Sequence, residues 1–207
     1  MTTIIRVGVK CPSCKAKFEI DVLGSTNFFG MTTELRRLTG GSSPWDYMVH
    51  TCQECGFTGG HDEFEGKVNK AVAAKIAEQI KPHIRDEYLS TDTRWEFAAM
   101  IAEWRGQEPT SVAEMYRNAA WCSNGSGREF YFRRRAADWL ERALEKPHPD
   151  RPVIIYLIGE LYRRCGEDGA AATWFDKAIG EAEKMNMADL KQLAIQQKTN
   201  PQEMISR

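Results

Sequence analysis

The chain opens with strand-like alternation and later turns helical. From Thr3 to Lys10 the β-rich residues Ile4, Ile5, Val7 and Val9 predict a strand. Lys17 to Val22 predicts its return, with Phe18 and Ile20 on one face and Lys17, Glu19 and Asp21 on the other. A less regular stretch follows, punctuated by Gly24, Gly30, Gly40 and Gly41. Within it Thr33 to Leu38 predicts a short helix. Pro44 to His50, carrying Trp45, Tyr47 and Val49, predicts a further strand.

The period changes from about Glu65. Val68, Val72, Ile76 and Ile80 recur at every fourth position with Ala73 and Ala77 beside them, and Pro82 ends the stripe. Thr91 or Asp92 caps a second helix that runs to about Arg105 and stops at Gly106. A third starts near Pro109, carries Val112, Met115, Tyr116 and Ala119, and ends near Asn124 and Gly125. A fourth spans about Arg128 to Glu145, before Pro147 and Pro149. Pro152 starts a fifth, closed by Gly166, and Gly169 to Met185 predicts a sixth. Val153 to Tyr162 is apolar nearly all round, so that helix should be sandwiched between neighbours. Leu190, Leu193 and Ala194 predict a capping helix before a polar tail.

Two helical segments repeat. Ala136-x3-Leu140-x2-Ala143 and Ala171-x3-Phe175-x2-Ala178 share one spacing. Their offset is close to the ~34-residue period of tetratricopeptide (TPR) repeats. Ile158, Gly159, Tyr162, Gly166, Ala171, Phe175 and Ala178 read as one such unit, its small residues letting two helices approach closely. The helices around Met115 and Leu140 read as a second, degenerate unit.

The chemistry gathers in Cys11-Pro12-Ser13-Cys14 and Cys52-Gln53-Glu54-Cys55-Gly56. Each puts two thiols on one tight turn, and together they supply the four soft donors of a tetrahedral structural zinc ion. Gly56 suits the unusual backbone angles expected after such a pair, and Lys15 stands at the equivalent place in the first. Phe18 and Phe57 follow closely enough to pack over the metal. Three other readings compete. A disulfide suits an oxidising compartment, but no signal peptide is read here. A thioredoxin-like redox pair needs a helix start in a βαβ unit, whereas the flanks of Cys11 read as strand. A catalytic zinc would draw on His50 or His61, but four cysteines already fill the site. Cys122 and Cys165 are left over and read as small apolar helix residues.

The expectation is therefore an α+β fold, mostly α: a β-rich zinc-ribbon-like module with an insertion over 1–64, then a TPR-like helical array over 65–207. Composition narrows the function classes. The 207 residues are 42% hydrophobic, enough for a core, and carry a net charge of -1. Residues 1–64 hold six basic against seven acidic side chains, so the module lacks the surplus of Lys and Arg that nucleic acid demands. No apolar run approaches the ~20 residues of a membrane span. A cytoplasmic protein without a membrane partner is expected. Phe28, Phe29, Met31, Trp45 and Tyr47 of the insertion read as core aromatics and hydrophobics. Trp95, Trp104, Trp121, Trp139 and Trp174 all fall in predicted helices. Arg133-Arg134-Arg135 is followed by Asp138, Glu141 and Glu145 at helical spacing, so it reads as a paired, solvated face rather than an anion site.

At this point the segments CPSCKAKF, PWDYMVHTCQECGF, EMYRNAAWC and YLIGELYRRCGEDGAAATWFDKAI resemble, in order and spacing, the bacterial family catalogued as domain of unknown function 2225. The resemblance covers nearly the whole chain. It implies a CxxC pair at each end of an N-terminal segment, TPR-like helices after it, and Cys11, Cys14, Cys52 and Cys55 as metal ligands. It implies no activity, and Lys15 stands where a glycine is frequent.

No Ser/His/Asp or paired-carboxylate pattern emerges. The leading reading is a non-enzymatic zinc-binding scaffold or adaptor whose helices bind a protein or peptide partner. The alternatives are a nucleic-acid-associated regulator using a basic patch of Lys10, Lys15, Lys17, Arg36 and Arg37, a CxxC redox protein or zinc enzyme, and simple self-association.

Overall fold

The computed structural model describes residues 2–40, 43–84, 89–123 and 125–205. Gly41 and Asn124, named above as turn residues, lie outside the described residues.

Strand β1 (Thr3–Lys10) pairs antiparallel with β2 (Lys17–Ser25), placing Val7 opposite Ile20 and Lys10 opposite Lys17. The alternation of Phe18 and Ile20 thus marks the strand correctly, and pairing carries it past Val22 to Ser25.

The insertion departs from expectation. Instead of a helix at Thr33 to Leu38, β3 (Phe28–Met31) and β4 (Arg37–Thr39) form an antiparallel hairpin. Glu, Leu and Arg favour helix, but Leu35 is held at φ 58, left-handed backbone that no right-handed helix accepts. Nor is Pro44 to His50 a strand. Pro44–Tyr47 is a 3-10 turn with Pro44 in its first turn, where the missing N–H and fixed φ cost nothing. Only His50 joins a strand, β5 (His50–Thr51), which pairs with β6 (Thr58–Gly59).

The described residues are 56% helical and include seven α-helices. Asn69 caps α1 (Lys70–Gln79), its side chain accepting from the Val72 N–H at 2.8 Å, and Pro82 sits in the 3-10 turn that follows. Then come α2 (Thr91–Arg105), α3 (Pro109–Cys122), α4 (Arg128–Ala143), α5 (Arg151–Arg164), α6 (Asp168–Lys184) and α7 (Ala188–Thr199). Three of them end alike. Gln107 N–H reaches Ala102 O at 3.0 Å, Glu167 reaches Tyr162 at 3.0 Å, and Met187 reaches Ala182 at 2.8 Å, over left-handed residues Gly106, Gly166 and Asn186. The two glycines were legible as stops. Asn186 is the third, for the same steric reason.

From α2 onward each helix packs on the next. Tyr116, Phe132, Tyr156, Ile158, Leu161 and Phe175 are the large side chains of their shared core. At Gly159 a Cβ would sit 2.9 Å from the Phe175 ring, so only glycine lets α5 and α6 come this close. Glu103 of α2 accepts from Tyr116 at 2.7 Å, from Trp139 at 3.0 Å and from Arg135, tying three helices together. Helix α5 is buried from Ile154 to Tyr162, as its apolar run implied, and even Glu160 is fully buried. All five tryptophans expected in helices are found there.

A second core joins the N-terminal segment to the helices. Cys11, Cys52, Phe57 and Phe64 are buried together with Val72 and Ile76 of α1, Ile80 just past its end, and Phe97 and Ile101 of α2. In the insertion, Phe28 is 43% and Phe29 58% exposed, so these two rings are surface residues and not core.

Candidate metal centre and the ionic contact of the insertion

Two turns build the cysteine cluster, and they are copies of one another. In the first, Lys15 N–H donates to Cys11 O at 3.0 Å and Cys11 N–H to Ala16 O at 2.8 Å. In the second, Gly56 donates to Cys52 O at 2.8 Å and Cys52 to Phe57 O at 2.8 Å. Each turn reverses between antiparallel strands through one left-handed residue, Lys15 at φ 68 and Gly56 at φ 85. At the first, the lysine's Nζ donates back to Pro12 O at 2.8 Å. Glycine is required at the second, since a Cβ on Gly56 would lie 3.0 Å from Ile80 and 3.3 Å from the Lys81 nitrogen.

The result brings all four sulfurs within 4.8 Å of one another. Cys11 and Cys55 Sγ are 3.6 Å apart, as are Cys14 and Cys52 Sγ. Thiolates about 2.3 Å from a tetrahedral ion sit about 3.8 Å from each other, whereas a disulfide needs about 2.05 Å. The donor set therefore fits one metal ion, and all six cysteines are free. Cys55 is pulled down by hydrogen bonds from Cys11 and then Cys52, while Cys52 is pushed up by its bonds to Cys11 and then Cys55. Without a cation only part of the cluster can hold charge. A divalent ion removes that conflict.

Phe57 and Phe18 both pack against the cluster, as their positions suggested. Phe64, which the sequence did not single out, stands between them, its ring 5.1 Å from Phe57 and 5.6 Å from Phe18, each edge to face. Among the described residues neither His50 nor His61 belongs to the metal-competent group. His50 is 6% exposed and held well below its usual value, to about 4, by burial and then by Arg94, so it is a neutral ring beside the site. Both CxxC pairs lie in turns between antiparallel strands, not at helix starts. Cys122 and Cys165 are pushed up to about 12 and about 11 by burial, which keeps them as poorly nucleophilic thiols.

The five basic residues named for a patch divide. Lys10 and Lys17 face each other across β1 and β2. Arg36 is instead wedged between Trp45 and Trp121, 5.8 and 5.6 Å from their ring centres, and Arg37 lies over Phe28.

The turn between β3 and β4 makes a further contact with the helices, and it is ionic. Glu34 is 4% exposed, and Arg133 of α4 donates to both its oxygens at 2.9 and 3.2 Å. Arg117 of α3 donates to the Glu34 carbonyl. Tyr156 Oη of α5 donates to the Thr33 carbonyl at 2.8 Å, and the Thr33 hydroxyl donates to Glu160 at 2.7 Å. Glu160 also accepts from Arg163 at 2.8 Å and Arg164 at 2.9 Å. Burial pushes the Glu34 carboxyl up, but Arg133, Arg164 and Arg117 outweigh it and hold the group below the usual carboxylate range. Residues 203–205 lie alongside: Thr33 N–H donates to Glu203 O at 3.1 Å and Ile205 N–H to Met31 O at 3.0 Å. The arginine run therefore splits three ways. Arg134 pairs with Asp138 at 3.5 Å, as helical spacing implied, but Arg133 is turned inward to Glu34 and Arg135 to Glu103. A single solvated face is not what forms, because a buried carboxylate, Glu34, lies on one side and a half-buried one, Glu103, on the other.

The family described as "Uncharacterized protein conserved in bacteria (DUF2225)" matches residues 5–200, and the chain belongs to it. No curated protein and no solved structure matches. Among the described residues no helix is long and apolar enough to cross a membrane.

Proposed function

We propose that Cys11, Cys14, Cys52 and Cys55 hold one structural zinc ion, and that the chain is a non-enzymatic scaffold whose TPR-like helices dock a protein or peptide partner in the cytoplasm. The observation that carries the reading is the shared burial of the cysteine cluster with α1 and α2, which makes a metal there a brace between the two parts of the chain. Four thiolates and no histidine in the cluster favour zinc over harder cations, and they suit a reducing compartment. The close approach of α5 and α6 at Gly159, and the successive packing of α3 to α7, support a TPR-like array.

Metal analysis of protein purified without added metal tests the first half. One zinc per chain is expected, with the four cluster thiols shielded from reagent under native conditions and the poorly nucleophilic Cys122 and Cys165 reacting only slowly. A metal-free protein with four more reactive thiols would refute it. In-cell cross-linking followed by titration with the purified partner tests the second. Cross-links on α3 to α7 and saturable binding support the scaffold. Cross-links confined to β1 and β2, around Lys10 and Lys17, with binding that falls steeply as salt rises, would move nucleic-acid association to the front.

A further inference from the structure

The face of α3, α4 and α5 that a partner would use is already covered by a piece of the same chain. Residues 32–35 lie on it in the manner of a bound peptide. Their backbone is read by side chains of the helices, Arg117 at the Glu34 carbonyl and Tyr156 at the Thr33 carbonyl. Their side chains are read as well, Glu34 by Arg133 and Thr33 by Glu160.

We propose that this face is a docking surface for an acidic, turn-forming segment of a partner protein, one in which a hydroxyl residue precedes a carboxylate, and that residues 32–35 are its occupant in cis. The inference rests on the scaffold reading above and names the chemistry of its partner.

Three observations support a seat over a piece of permanent core. The grip is polar. Leu35 alone of residues 32–35 packs against the helical core, while Phe28 and Phe29 of the same hairpin face solvent. Buried ion pairs add little net stability and are better suited to selecting one partner over another. The backbone is strained, since Leu35 holds a left-handed φ that a leucine adopts at a cost. The fit is incomplete. Trp121 Nε1 and Glu129 Oε2 are buried with no hydrogen-bond partner among the described residues, and both residues line a cleft of about 350 Å³ next to Glu34. A segment with further polar groups satisfies atoms that the chain's own segment leaves unpaired.

The test is a fluorescent synthetic peptide of sequence Met31 to Arg37, titrated into the full zinc-loaded chain. Wild type is expected to bind it at least tenfold more weakly than a Thr33→Ala, Glu34→Ala variant, whose own segment no longer holds the seat. Adding Arg133→Ala to that variant, or replacing the glutamate of the peptide by alanine, should remove the gain. Hydrogen exchange supplies the control: amides 28–39 should exchange faster in the variant while those of α4 to α6 stay protected. Glu34→Gln, which keeps the shape and loses the charge, should fall between wild type and the double variant. Equal binding to wild type and variant overturns the proposal. So does a freed hairpin with no peptide bound, a hairpin that stays protected in the variant, or loss of protection across α4 to α6, which would make the segment part of the core. If the peptide fails while a cross-linked partner maps to another helical face, the scaffold stands and this seat alone falls.

Discussion

Two of the contacts that fasten the N-terminal segment to the helices use opposite physics. The cysteine turns meet α1 and α2 through an apolar cluster around a metal-competent group of sulfurs. The 32–35 turn meets α3, α4 and α5 through carboxylates, guanidiniums and hydroxyls. The first kind of contact gains from every apolar area it buries and from a metal that binds only the folded site. The second repays the desolvation of its charges by pairing them, and so is close to balance. The two ends of the segment should behave as an anchor and its middle as a latch.

Removing a ligand should break the comparison most forcefully. Cys52→Ser leaves the cluster unable to close around an ion, and structural zinc contributes on the order of 10 kcal/mol of apparent binding energy in small metal domains. Metal content should fall to zero, and hydrogen exchange should rise in β1, β2, α1 and α2 together, because Cys52 shares its core with Ile76 and Phe97. Retained metal and unchanged melting would remove the assignment. Next comes the apolar packing of the anchor. Phe57→Ala empties a fully buried ring site and should cost about 3–5 kcal/mol, read by chemical denaturation, with metal stoichiometry preserved.

At the latch, Glu34→Ala strands Arg133 against a buried face, a change worth about 3–5 kcal/mol when a buried pair is broken. The loss should appear as local exchange in 28–39 rather than as global unfolding. The same contact sets a pH dependence. The Glu34 carboxyl is depressed in the folded chain, so its contribution is complete above the ordinary carboxylate value of about 4.3 and is lost as pH falls through the lower folded value. Exchange in 28–39 should therefore rise below about pH 4 in wild type, and Glu34→Gln should flatten that rise. The finest contrast is between the two cysteine turns. Gly56→Ala meets both a left-handed φ and the Ile80 side chain, and should cost about 1–3 kcal/mol. Lys15→Gly, at the matching position with a free surface, should change stability by less than about 1 kcal/mol.

The same contrast explains what the sequence could disclose. The cysteines were legible because a metal turn is local: two thiols, a reversal, and a residue that accepts positive φ. The helices were legible because their caps and stripes lie within a few residues of one another, down to Gly106 and Gly166 as stops. The latch was not. Glu34 lies 99 positions from Arg133, and nothing near it marks a burial site. Its neighbours Glu, Leu and Arg carry a helix preference that the distant contacts override, which is why 33–38 was misread. The exposed Phe28 and Phe29 failed for a related reason. An aromatic in a small module usually finds a core, but here the core was claimed by Phe57 and Phe64. Phe64 itself was missed because it falls just where alternation ends.

The paired cysteine turns also close a ring. Cys14 and Cys52 sulfurs are 3.6 Å apart, so the stretch from Lys15 to Thr51 leaves and returns to the same point. The 32–35 segment is thereby tethered at both ends, and a free molecule in trans competes against a local concentration on the order of millimolar. Loss of the ion would open the ring and dilute the segment without touching a single atom of the latch. Metal occupancy would then set how readily an outside acidic peptide gains the seat.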